Sequence, residues 1–164
     1  MHRLLVALVA SQVLLAGPVR AEAWDAYYNM ATFGAGGGSD AGGWFNFECA
    51  DEESGFSTAG QAYFSLRMGE DFTKEEFVPV KDIQFWVGDG KSFVLPMSPE
   101  ADSAIDLKYD YSAETRQEML WFIEALRQGD GVSAWSDDRQ LARVALKGSS
   151  AALKDVEACV GGED

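Results

Sequence analysis

Two cysteines, one histidine and 27 acidic residues make up most of the reactive inventory of this 164-residue chain. His2 lies in a basic, apolar leader, so the part that follows has no imidazole. A Ser/His/Asp or Cys/His nucleophile system needs that imidazole as its base, and so does a histidine-containing zinc site. Two thiolates cannot build a four-sulfur zinc site either. Cys49 and Cys159 are too far apart in sequence for a CxxC redox motif. In an oxidising compartment they are expected to pair as a single disulfide that closes a loop over most of the domain, the alternative being two buried thiols.

The carboxylates leave two chemistries open. Asp51-Glu52-Glu53, Glu70-Asp71, Glu75-Glu76 and Asp137-Asp138 could supply an acid pair for glycoside hydrolysis or oxygen ligands for calcium. None has the Asp-x-Asp-x-Asp-Gly spacing of an EF-hand, and in so acidic a chain each reads as a solvated turn. A carboxylate-only glycan hydrolase is therefore the least favoured function, and no catalytic residue, cofactor or resident metal is expected. Gly88-Asp89-Gly90 and Gly129-Asp130-Gly131 could each present a carboxylate to the basic cleft of a secreted hydrolase, although turn formation explains both equally well. An inhibitor of a cationic secreted hydrolase is the second reading. The first is a non-enzymatic exported binding or cell-envelope and host interaction protein. Its candidate partner contacts are Trp24, Tyr27, Tyr28, Trp44 and Trp121, each of which also suits a core position.

The leader fixes the compartment. Arg3 supplies the positive start, Leu4 to Ala16 is almost wholly apolar, and Gly17-Pro18 breaks the run before small residues suited to cleavage after Ala21 or Ala23. Residues 1–21 thus read as a signal peptide, too short in its apolar part for the ~20 residues of a membrane span. A single exported β-rich domain, 22–164, is expected to follow, periplasmic or secreted. It keeps 11 of 13 basic residues and all 27 acids, a formal charge near −16. That field repels nucleic acid and anionic membranes, and it suits either plain solubility or attraction to a cationic protein partner.

Periodicity assigns the elements. Trp24 to Phe33 reads as an aromatic-rich strand and Gly34 to Gly43 as a mobile loop with no phosphate-loop lysine. Alternation in Trp44 to Cys49 places Phe45, Phe47 and Cys49 inward and Trp44, Asn46 and Glu48 outward. Gln61 to Met68 alternates likewise, with Ala62, Phe64, Leu66 and Met68 inward. Ile83 to Val87 and Ser92 to Leu95 form a hairpin about Gly88-Asp89-Gly90-Lys91, and Ala104 to Tyr109 forms another strand after Pro96 and Pro99 interrupt pairing. A helix capped by Ser112 carries Met119, Phe122, Ile123 and Leu126 on one face, with Trp121 nearly opposite and expected to be covered by another element. Val132 to Ser136 and Leu141 to Leu146 are the last strands, and a short helix capped by Ser149 or Ser150 ends near Cys159. The sum is an antiparallel β-sandwich or barrel of about seven strands, with two late helices packed on one edge or face.

The C-terminal third, Leu126-Arg127-Gln128-Gly129, then a strand, then Val144-Ala145-Leu146-Lys147-Gly148-Ser149-Ser150-Ala151-Ala152-Leu153, resembles the ending of the bacterial invasion-associated locus B proteins. The resemblance implies a small, exported, mostly β protein with a host-interaction role and no defined enzymatic activity. Ser149 stands where that family has an aromatic. Read physically, the same stretch is a glycine corner and a helix tied back to an early strand, a structural clasp.

Overall fold

The computed structural model describes residues 22–51, 62–72, 82–100, 103 and 105–162. The leader, Glu52-Glu53 and Glu75-Glu76 lie outside them. In chain order the elements are β1 (Glu22–Asn29), β2 (Thr32–Ser39), β3 (Gly43–Ala50), β4 (Ala62–Arg67), β5 (Ile83–Val87), β6 (Lys91–Leu95), β7 (Ser98–Pro99), β8 (Asp106–Tyr111), α1 (Arg116–Gln128), β9 (Gly131–Ser136), β10 (Arg139–Ala145), α2 (Ser149–Ala152) and α3 (Lys154–Gly161). They form two antiparallel sheets, one ordered β1-β2-β3-β4-β8-β7 and the other β10-β9-β5-β6. The architecture is the expected mainly β fold in its sandwich form, without closure into a barrel.

The core is built from phenylalanines that alternation sends inward from both sheets. Phe45 and Phe64 of the larger sheet meet Phe85 of the smaller with centroids 5.8 and 5.5 Å apart. Phe122 of α1 inserts among them, 5.5 Å from Phe64, 5.1 Å from Phe85 and 5.2 Å from Phe93. A ring buried to this extent contributes about 2–3 kcal/mol by transfer alone. Met119, Ile123 and Leu126 complete the buried stripe of α1, as their helical spacing predicts. The helices gather on one side of the sandwich. There α2 packs on β1 and β2, α3 packs on β2 and β3, and an ion pair between Arg127 and Glu157 joins α1 to α3.

The glycine-rich stretch corrects the sequence reading. It is not a loop: β1 ends at Asn29, Met30 and Ala31 turn the chain, and Thr32–Ser39 forms β2, paired throughout with β3. Glycine suits this strand because neighbouring side chains occupy the space its own would fill. A Cβ on Gly37 would meet the indole of Trp24 at 2.5 Å. With β2 and the two-residue edge strand β7, ten strands are present among the described residues rather than about seven. Pro99 is therefore inside a strand, at a sheet edge where its missing donor is tolerated.

Both predicted caps also shift. Helix α1 starts at Arg116 after Thr115, whose hydroxyl accepts the Ser112 N–H at 3.0 Å, so Ser112 belongs to the preceding turn. At α2 the flanking residue is Gly148, in the left-handed region at φ 93°. Ser149 turns inward instead of capping: its buried hydroxyl lies 2.7 Å from the Leu126 carbonyl and 2.8 Å from that of Leu146 and donates between them. Other expectations hold. The β5–β6 hairpin turns through Gly88 and Gly90 at positive φ, and Cys49 and Cys159 are bridged.

Candidate functional site

Strand pairing decides which side chains share a surface, because partners across an antiparallel ladder point to the same side. On the outer face of the larger sheet, one row runs Tyr27, Gly34, Glu48, Tyr63 and Asp110 from β1 to β8. The next runs Asp25, Gly36, Asn46, Ser65 and Lys108. Trp44, Arg67 and Asp106 follow. Aromatic rings, the Asn46 amide and more acids than cations therefore occupy one solvent-facing sheet surface.

Glu48 is the centre of this face. Its Oε1 accepts the Tyr27 hydroxyl at 2.8 Å and the Asn46 amide at 3.1 Å, and its carboxylate also accepts the Tyr63 hydroxyl. Tyr27 reaches it from two strands away. The phenol lies flat across Gly34, where any Cβ would overlap the ring. Burial, reinforced by the bond to Glu48, pushes the Tyr27 hydroxyl up to about 12. The same two causes raise Tyr63. Both phenols thus remain proton donors, and among the described residues no ion pair neutralises Glu48.

The cations on this face are already engaged. Lys108 Nζ stands 4.3 Å from the centroid of the Tyr63 ring and 2.8 Å from Asp110. Arg67 Nε donates to Asp106 at 2.8 Å. Burial would raise the Asp106 carboxyl, but hydrogen bonds from Arg67 and Ser103 and the guanidinium charge outweigh it and hold the group below its usual range.

The five candidate contact aromatics do not form one cluster. Trp24 is 5% exposed, and its indole N–H donates to the Ala145 carbonyl at 3.0 Å, which makes it a core residue. Tyr27 belongs to the Glu48 face. Trp44 shares that face, half-buried, with its indole 3.4 Å from Asp40. Tyr28 points to the other side of the sheet, packs on Phe33 and donates to Asp51 at 2.6 Å, a bond that raises its own phenol. Trp121 is 58% exposed on α1, uncovered by the segment that carries Trp135. Glu48 and Tyr63 were not singled out from the sequence. Alternation assigns both to the outer face, but only the register of β1 to β4 brings them together.

The two glycine-flanked carboxylates are also brought together. The Gly88 N–H donates to the Gly131 carbonyl at 2.9 Å, so the turns carrying Asp89 and Asp130 sit side by side with both acids exposed. Among the described residues no group of three or more His, Cys, Asp or Glu is placed to hold a metal ion, and no helix is long and apolar enough to cross a membrane. Comparison with protein families, with curated proteins and with solved structures finds no match to this chain.

Proposed function

We propose that the protein is a non-enzymatic exported binding module, working at the cell envelope or a host surface, that takes cationic groups of a protein partner on the outer face of its larger sheet. The observation that carries this reading is the Glu48 carboxylate, half-buried between two tyrosines and held, among the described residues, by neutral donors. A carboxylate has about four acceptor positions, so capacity remains for an incoming ammonium or guanidinium. The flanking rings add a cation–π contribution of the kind Lys108 already makes. Asp25 and Asp40 extend the negative field around it and would steer a cation to the face.

The test is a titration with a Lys/Arg-rich peptide at low and moderate salt. Saturable binding that weakens several-fold with Glu48→Gln and with added salt supports the proposal. Binding untouched by Glu48→Gln removes this face from it.

A second reading, inhibition of a cationic secreted hydrolase, is favoured by the pairing of the Asp89 and Asp130 turns into one acidic tip. Lysozyme inhibition that disappears in the Asp89→Asn, Asp130→Asn double variant would support it, and no inhibition by the parent protein would end it.

A further inference from the structure

The outer face of the smaller sheet has the opposite character. Its two rows run Val94, Gln84, Trp135, Gln140 and Ser92, Trp86, Ser133, Arg143 across the four strands. In a chain of formal charge −14 these positions include no acid and only one cation. The acids lie at the two ends of the sheet, Asp89 and Asp130 in the turns at one and Asp137 and Asp138 at the other. Trp86 is 42% exposed and Val94 50%. Trp86 faces Ser133 and Trp135 faces Gln84, so the tryptophans are diagonal neighbours on adjacent strands, a placement of about 7–8 Å between backbones. The Trp135 indole is oriented by donation to Ser133 Oγ at 2.9 Å.

We propose that this face binds an uncharged polysaccharide. The two indoles offer apolar surfaces for the C–H faces of consecutive pyranose rings, and Gln84, Gln140 and Ser92 offer donors and acceptors for ring hydroxyls. Charge complementarity selects the occupant. An anionic polymer meets carboxylates at both ends of the face, a cationic one finds no carboxylate on it and meets Arg143, and a neutral glycan meets no charge repulsion. The binding face is distinct from the Glu48 surface, so neither proposal depends on the other.

The experiment is titration of the oxidised full chain with glucose and N-acetylglucosamine hexasaccharides, read by tryptophan fluorescence and calorimetry. Saturable binding to at least one is expected, weakened tenfold or more by Trp86→Ala and restored in large part by Trp86→Tyr. Glu48→Gln and Trp121→Ala should leave it unchanged. Trp86 is exposed enough for its truncation to leave the melting temperature near that of the parent, and Gln140→Ala gives a second variant expected to weaken binding. Absence of saturable binding to either hexasaccharide overturns the proposal, and so does binding that survives both Trp86→Ala and Gln140→Ala.

Discussion

The Tyr27 hydroxyl donates to Glu48 at 2.8 Å although the whole of β2 lies between their strands. The span works because Gly34, directly opposite Tyr27 and also opposite Glu48, leaves the sheet surface open beneath the ring. Gly34→Ala should therefore lift the phenol and break the bond. The expected cost is about 1–3 kcal/mol, the range for forcing a methyl group into occupied space. Chemical denaturation measures it, and an unchanged midpoint would mean that the ring moves aside freely.

The pH dependence has an alkaline and an acid limb. Tyr27 is raised to about 12 from an ordinary value near 10, so the folded state holds this proton more tightly. Its contribution is complete below pH 10 and is lost as pH rises toward 12. Asp106 is shifted down, so its contribution is present above about pH 4 and disappears as pH falls through the lowered value. Ultraviolet titration of Tyr27→Phe should lose one phenol from the transition near pH 12, and Asp106→Asn should flatten the acid limb.

Among the described residues, the buried Tyr111 hydroxyl has no hydrogen-bond partner. Replacing it with phenylalanine removes an unsatisfied polar group and little packing, so Tyr111→Phe should stabilise the fold by about 1 kcal/mol. A destabilised variant would reveal a partner for that oxygen.

Met30 and Ala31 turn β1 into β2 with φ of 48° and 61°, in the left-handed region where neither side chain is favoured. Met30 is 88% exposed and contributes almost no packing. Met30→Asn should raise stability by about 0.5–1 kcal/mol through relief of that conformation. A thermal melt that shows no gain would assign the residue a stabilising contact.

Alternation alone made much of the fold legible. Phe45, Phe47 and Cys49 all proved buried, and the glycines of the β5–β6 turn marked its hairpin. The reading failed where a residue's role depends on a distant neighbour. Nothing near Gly34 or Gly37 announces that tyrosine and tryptophan rings from β1 will lie over them, so local propensity gave a loop where tertiary packing makes a strand. Trp121 failed for the complementary reason: helical spacing placed it opposite the buried face, but could not say that it would stay largely exposed. The Glu48 site was half visible, since its outward direction follows from the strand period while its tyrosine partners depend on register.

The bridge between Cys49 and Cys159, separated by 110 positions, also governs how the molecule carries mechanical load. A pull applied before Cys49 and after Cys159 passes from β3 directly into α3 through the sulfurs. The intervening chain, which includes β4 to β10, α1 and α2, cannot lengthen under that tension while the bond is intact. Only the β1–β2–β3 end and the tail beyond α3 can peel away. Stretched as a single molecule, the oxidised protein should give a short extension that grows by the length of the enclosed loop once a reductant is present.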